Sequence, residues 1–416
     1  METALTIRFL LMNAFAVGGT IRTTLNTAGA LAERHDVEVA SVFRRRTDPE
    51  LPVPPGVRLR ALTDLREETL DRGVRRRVAA QRTRLMSTRD FRHPEFNLLT
   101  DIGLVRYLAS VRDGVLIGTR PSINLAIAHL AAPSVVRVGQ DHMHLTAYSD
   151  ELRAQMGAVY PRLDLVTALT RRDAAAYRKH LRKGTRVECM PNGIRASQRP
   201  PASLDAKVVV AAGRLARQKG FDRLLAAWAM VAARHPDWQL RIFGDGMLRS
   251  RLEARIAELG IAGSARLMGF TPRLHEELAG ASLYVMSSRR EGFPMVLLEA
   301  MAAGLPVVSF DCPTGPRDIV RDGVDGYVVR NRDVEALASA MSELMSDADR
   351  RKAFGAAARE GAARYDLDAV AARWEALLAE LAAAKSPEAG TTPARPTLSL
   401  LGRVVGSHAR RLVPGR

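Results

Sequence analysis

Two carboxylates, Glu291 and Glu299, bracket a Gly292-Phe293-Pro294 turn in the stretch Ser287 to Gly304, and their placement implies a chemistry. An apolar run, Ala281 to Ser287, precedes them and another, Leu305 to Phe310, follows. Strand, turn, helix and strand in that order set the turn at the carboxyl edge of a parallel sheet, where open α/β folds bind ligands. Pro294 suits the first helical position, because its missing N–H is one the helix could not use. The amides of Met295 and Val296 would then face outward at the positive end of the helix dipole. A phosphate held by amides, with a carboxylate on each side to accept hydroxyl protons, describes a site for a phosphorylated sugar or a nucleotide.

Further loops carry matching groups. Gly213-Arg214-Leu215-Ala216-Arg217-Gln218-Lys219-Gly220-Phe221 follows a Val-rich strand. Arg214 offers a planar fork and Lys219 a compact charge, a pair suited to a diphosphate. The Gly-Lys-Ser/Thr signature of a Walker A loop is absent. Phe243-Gly244-Asp245-Gly246 and Gly269-Phe270-Thr271-Pro272 end two more strands with glycine turns. Individually such turns are weak signals; on successive strands of one sheet they converge on one cleft. In the first half, Gly18-Gly19 links strand one to helix one and lets backbone approach a phosphate or sugar from the opposite side. Asp366-Leu367-Asp368 forms an Asp-x-Asp, but it precedes a helix, and N-capping explains it better than metal binding.

The elements that must hold these loops alternate between strand and helix patterns, which predicts parallel sheets with covering helices. In 416 residues two domains of roughly 190 residues are expected. Strands are predicted at Leu5–Met12, Val37–Phe43, Val115–Gly118, Ser134–Val138 and Leu165–Ala168 in the first half. A second series starts at Lys207 and continues at Trp238–Phe243, Ala265–Met268, Leu283–Met286, Pro306–Phe310 and Gly326–Val329. Residues 47 to 100, rich in Pro and Arg, resist assignment. The expected division is an N-terminal domain over 1–195, a C-terminal domain over 196–365, a crossover helix over 366–385 with Trp374 on its apolar side, and a disordered basic tail over 386–416.

The formal net charge is +17, which attracts polyanions. Arg44, Arg45 and Arg46 form one cluster; Arg72, Arg75, Arg76, Arg77, Arg82, Arg84, Arg89 and Arg92 form another. Solvated helix faces are the plain alternative, and the chain has no recognised nucleic-acid module. The tail, with Leu398–Leu401, Val404, Val405 and Leu412 among arginines, suits a solvated segment or one lying on an anionic membrane. Two cysteines, Cys189 and Cys312, lack metal-ligand spacing and read as small apolar side chains in a reducing compartment. The acidic, Arg8-interrupted N-terminus reads as a strand rather than a signal peptide. No run reaches the roughly 18 apolar residues of a membrane span, so a cytoplasmic location is expected.

Gly-Arg-Leu…Lys-Gly-Phe, Phe-Gly-Asp-Gly, Gly-Phe and the Glu291/Glu299 spacing together resemble the family-four retaining glycosyltransferases of GT-B fold. The resemblance spans residues 5 to about 381 and is strongest over 207–330. It implies two Rossmann-like domains facing across a cleft, the second holding a UDP- or GDP-sugar. By that resemblance Arg214 and Lys219 grip the diphosphate, Glu299 takes the ribose hydroxyls, and Glu291 meets the transferred sugar. The amides about Phe293, Met295 and Val296 assist, Gly213 and Asp245 belong to the donor-binding loops, Phe270 lines the base, and Gly18 and Gly19 close on the phosphate. The last helix crosses back to the first domain. A front-face displacement with retained configuration is implied, with no metal or other cofactor. In Gln140-Asp141-His142-Met143-His144, His142 rather than His144 is the expected neighbour of the sugar. Residues 134–193 are further similar to bacterial enzymes that glycosylate poly(glycerol phosphate), which implies an anionic polymer or lipid-linked acceptor and peripheral contact with the membrane. Two competing readings are a UDP-sugar epimerase, which product analysis with and without acceptor separates, and a non-catalytic protein that binds polyanions or membranes.

Overall fold

Parallel strand pairing organises both halves, as the alternation of apolar runs and amphipathic segments requires. The computed structural model describes residues 4–70, 73–195 and 200–385. The first sheet contains β1 (Thr6–Leu11), β2 (Asp36–Ser41), β3 (Val57–Ala61), β4 (Val115–Gly118), β5 (Val136–Asp141), β6 (Leu165–Ala168) and β7 (Val187–Cys189) in the order β3-β2-β1-β4-β5-β6-β7. The second contains β8 (Val208–Ala212), β9 (Gln239–Phe243), β10 (Ala265–Gly269), β11 (Leu283–Met286), β12 (Val307–Phe310) and β13 (Gly326–Val329) in the order β10-β9-β8-β11-β12-β13. Strand order reverses between β1 and β4 and again between β8 and β11. Those are the switch points at which such sheets open a crevice. The Gly18-Gly19 loop follows β1, the Arg214/Lys219 loop follows β8, and the Glu291 turn follows β11.

Helices α1 (Gly19–Leu31), α2 (Val74–Ala79), α3 (Leu98–Ser110), α4 (Pro121–Leu130), α5 (Asp150–Val159) and α6 (Arg171–His180) accompany the first sheet. The second is followed or interleaved by α7 (Phe221–Ala232), α8 (Arg249–Glu258), α9 (Leu274–Ala279), α10 (Met295–Ala302), α11 (Pro316–Ile319), α12 (Val334–Ser346) and α13 (Ala348–Ala363). Both faces of each sheet are covered, so central strands such as β8, Val-Val-Val-Ala-Ala, are apolar throughout. The final helix, α14 (Leu367–Lys385), leaves the second sheet and packs on the first. Trp374, Leu378 and Leu381 share an apolar cluster with Ile7, Phe9, Leu25 and Leu31. Asp366 caps it, its carboxylate accepting from the amides of Asp368 (3.1 Å) and Ala369 (3.3 Å), as the N-capping expectation held.

Three details differ from the sequence reading. Helix α10 begins at Met295, so Pro294 occupies the cap with extended ψ rather than the first helical position. Strand β3 lies inside the segment that resisted assignment. It is a five-residue edge strand, and its exposed Arg58 and Arg60 interrupt the apolar run and discourage edge pairing. The short β7 edge was likewise not predicted. Arg72 and the tail from 386 lie outside the described residues, and with them the expectations of disorder and of membrane contact by the tail. Among the described residues no helix is long and apolar enough to cross a membrane.

Candidate functional site

The loops after β8 and β11 interlock, and glycine makes this possible at two places. Lys219 lies across Gly213, its Cε 3.0 Å from where a Cβ would stand. A side chain on Gly220, which has φ +65°, would fall on the carbonyl oxygen of Ser287. Ser287 Oγ donates to the Lys219 carbonyl (3.0 Å) and the Arg289 amide to the Gln218 carbonyl (2.8 Å). Lys219 Nζ thereby reaches Glu291 Oε1 at 2.7 Å, and Ser288 Oγ donates to the same oxygen at 2.6 Å. Glu291 is buried, with its amide bonded to the Pro313 carbonyl and its carbonyl accepting from the Thr314 amide. Its carboxylate is therefore fixed in place and charge-paired.

The neighbouring strand ends form a backbone-bonded row. The Gly213 amide donates to Phe243 (2.9 Å), that of Leu215 to Asp245 (2.9 Å) and that of Gly244 to Gly269 (2.7 Å). Asp245 is exposed and accepts from the Gly246 amide. Phe270 is 78% exposed beside this row, a large apolar surface left to solvent. Arg214 is exposed and, among the described residues, has no ion-pair partner. The Phe293 ring is buried edge-on against Tyr365 at 5.7 Å, which leaves its backbone as the part that can face a ligand. No side chain caps α10, and the first intrahelical contact is Leu297 to Pro294, which leaves the Met295 and Val296 amides ahead of it.

Glu299 lies on α10 and faces the first half of the chain. Burial raises its pKa, while the charges of Arg22 and His275 oppose that rise. Arg22 Nη1 stands 3.9 Å from Glu299 Oε1, an ion pair across the two halves. Gly18 and Gly19 precede Arg22 at the start of α1. A Cβ on Gly19 would meet nothing, and one on Gly18 only Ile21 at 3.7 Å. The protein's own packing does not need these glycines, which leaves open space at that helix start.

His142 follows β5 directly. Its Nε2 is buried without a hydrogen-bond partner, and burial lowers its pKa to about 4, so the imidazole is neutral. The Gly292 Cα lies against the His142 carbonyl, where any Cβ would collide. His142 and the Glu291 turn are thus brought together by backbone contact. The loop is anchored beneath by Asp141, which accepts from Tyr177 (2.6 Å), Tyr160 (3.0 Å) and Asn124 (3.1 Å). Burial pushes the Asp141 pKa up to about 7 against those donors. His144 instead engages Thr146 through Nδ1 (2.8 Å).

Sequence reasoning missed Arg22, Ser288 and the Asp141–Tyr160–Tyr177 group. Arg22 carried a signal: a cation in the opening turns of a helix opposes the dipole unless something anionic faces it. Ser288 and the tyrosines carried none, since their roles arise only from contacts made in the folded chain.

Residues 194–361 match the family Glycosyl transferases group 1. An exopolysaccharide phosphotransferase of Streptomyces coelicolor is 37% identical over 90% of this chain and 41% of its own length. A poly(glycerol-phosphate) alpha-glucosyltransferase of Bacillus subtilis is 32% identical over 36% of this chain and 23% of its own length. The chain thus spans less than half of either relative. Among solved structures, S. aureus TarM in complex with fondaparinux, alpha-GlcNAc-glycerol and UDP superposes with a TM-score of 0.73, covering 90% of this chain and 99% of that one at 13% identity. That likeness shows a shared fold.

Proposed function

We propose, from the match of residues 194–361 to the group 1 glycosyl transferases within a chain of GT-B fold, that the protein is a retaining hexosyltransferase. The donor is a UDP- or GDP-sugar, and the acceptor is an anionic cell-envelope polymer or lipid-linked glycan. The observation that carries this reading is the Lys219–Glu291–Ser288 cluster at the β8/β11 switch point, with His142 against its turn. The names of the relatives agree with it: one acts on poly(glycerol phosphate), and TarM was captured with UDP.

Lys219 and the exposed Arg214 flank the position for the diphosphate, with the α10 amides adding partial positive charge. Glu291 exchanges part of its bond with Lys219 for hydroxyls of the transferred sugar. Glu299 accepts from the ribose once Arg22 yields, and Phe270 offers its exposed ring to the base. Neutral His142 presents an imidazole nitrogen to the sugar from the acceptor side. In the transfer the bond between the anomeric carbon and the phosphate oxygen breaks, and its electron pair stays on the diphosphate. The acceptor oxygen bonds to the same face of that carbon and gives its proton to the departing phosphate. The N-terminal half holds the acceptor, and the reaction belongs on the cytoplasmic side of the plasma membrane, where nucleotide-sugars are supplied. Leaving-group charge is met by side chains and amides, so turnover should persist in EDTA.

A thermal-shift screen against UDP, GDP, ADP and their sugars tests the donor. Binding raises the melting temperature by mass action, about 2.7 kcal/mol of stability at a hundredfold excess over Kd. A shift with one nucleotide alone supports the reading; no shift with any of them removes it.

A further inference from the structure

We propose that a cavity in the N-terminal half, between the end of β2 and residues 65–70, 79–82 and 94–97, is a subsite for a phosphodiester flanked by aliphatic carbons. The proposal takes its substrate class from the glycosyl-transfer reading, but it concerns a place remote from the donor cluster. The cavity holds about 320 Å3 and is lined by Arg45 and Arg82 on its charged side and by Leu65, Leu70, Ala79 and Phe96 on its apolar side.

Several neighbouring arginines are neutralised by carboxylates, whereas the two that line the cavity are not. Arg44 pairs with Asp64 at 2.6 Å, Arg66 with the same carboxylate at 2.9 Å, Arg46 with Glu50 at 2.8 Å and Arg92 with Glu95 at 2.9 Å. Arg66 and Arg44 hold Asp64 far below the usual carboxylate range. Glu95 is the acid that lines the cavity, and it is the one taken by Arg92. Among the described residues Arg45 and Arg82 have no carboxylate partner; the Arg45 guanidinium covers the Phe43 ring at 5.3 Å. Both side chains are exposed at the cavity mouth. A cavity with two unneutralised forks on one side and aliphatic and aromatic carbon on the other matches a bidentate-bound phosphate with methylene neighbours.

Its position suits an acceptor. Arg45 comes soon after β2, which lies beside β1 in parallel register, Leu11 opposite Ser41. The cavity therefore opens at the same carboxyl edge of the sheet as the Gly18-Gly19 loop, one or two strand spacings of about 4.8 Å away. One chain-like acceptor can occupy the cavity with one repeat and present a hydroxyl to the donor cleft with another.

A glycerol phosphodiester of this kind can come from a soluble polymer or from a lipid headgroup, and two arms separate these sources. The full chain and its Arg45→Gln/Arg82→Gln double variant are titrated with a synthetic glycerol phosphate hexamer, and separately with phosphatidylglycerol vesicles against phosphatidylcholine controls. The wild-type protein should bind at least one probe with salt-sensitive affinity, and the double variant should lose at least tenfold. Arginine-dependent binding of the hexamer identifies a polymer, and of the vesicles alone a headgroup. Equal binding by both proteins in both arms, or no binding by the wild type, overturns the proposal. The lysine pair, Arg45→Lys/Arg82→Lys, should fall between, since it keeps charge but loses the fork. Melting temperature and UDP-induced shift must match wild type in each variant. Loss of the UDP shift in the wild-type protein would remove the donor reading while leaving arginine-dependent phosphodiester binding to stand or fall separately.

Discussion

The two sheets present equivalent carboxyl edges to the same cleft, yet they are built by different means. At the edge of β8–β11 the loops are short, glycine-hinged and tied backbone to backbone, so that Lys219 and Glu291 meet within a few residues of their strands. At the edge of the first sheet the loops are fixed by side chains distant in sequence. Asp141 gathers Asn124, Tyr160 and Tyr177; Asp90 takes Arg120 and Ser122; Asp101 takes Thr83 and the Arg84 amide. One edge is tied largely backbone to backbone and the other by polar side-chain networks. A donor with an invariant diphosphate suits the first kind of construction, and an acceptor site that differs among enzymes of one fold suits the second.

The largest effects should follow from cutting the local motif. Lys219→Ala or Glu291→Gln is expected to lower kcat by about 10²–10³, the usual cost of losing one preorganised group facing developing charge. Steady-state turnover with saturating donor measures it. If either variant kept full turnover, the claim that the second edge carries the leaving-group chemistry would fall, and with it the contrast between the edges.

A second test strikes where the edges touch. Gly292→Ala places a methyl group on the His142 carbonyl. The halves can separate slightly to accept it, so the melting temperature should change little while turnover drops. A displacement of about 1 Å between reacting groups costs up to about a hundredfold. A large fall in melting temperature with activity per folded molecule retained would show a packing contact and nothing more.

Donor affinity gives a smaller effect. Glu299→Ala removes a charged acceptor from the ribose and should raise the donor KM by about 10–100-fold, the equivalent of 1.5–3 kcal/mol. Arg22→Ala should leave stability within about 1 kcal/mol, because its pair with Glu299 is long and solvent-screened. Calorimetric titration of UDP into each variant and the double variant gives the coupling. Additive effects would mean that Arg22 never competes with the ribose for Glu299.

The same contrast explains what the sequence disclosed. Strands β4, β6, β11 and β13 appear at their predicted bounds, because a buried parallel strand is a plain apolar run between turn signals. The crossing of α14 onto the first sheet was expected from the family resemblance, and Trp374 is buried there. Lys219, Glu291 and Glu299 were legible because fixed spacing in one loop or one helix turn places them. The β3 segment was not, since arginines alternate through it and leave no apolar run. Arg22 was overlooked because its partner belongs to the other half of the chain.

Asp141 offers the smallest and most discriminating measurement, because it asks whether the first edge pays a folding cost for its network. Its carboxyl is raised from the ordinary 3.8 to about 7, chiefly by burial. The folded state therefore holds a proton that the unfolded chain releases from about pH 4 upward. This contribution favours folding in acid, falls as pH rises through the window between 3.8 and about 7, and is constant above it. Asp141→Asn keeps an acceptor for Tyr177 and cannot ionise. The variant should match wild type near pH 4 and exceed it in melting temperature at pH 8. Asp173, raised to about 6 mainly by burial, titrates in the same direction but is present in both proteins and cancels in the difference. Parallel melting curves across pH 4 to 8 would mean that the tyrosines and Asn124 hold the ionised carboxylate without cost. The first edge would then be as rigidly preorganised as the second, and the difference between them would be one of side-chain against backbone bonding alone.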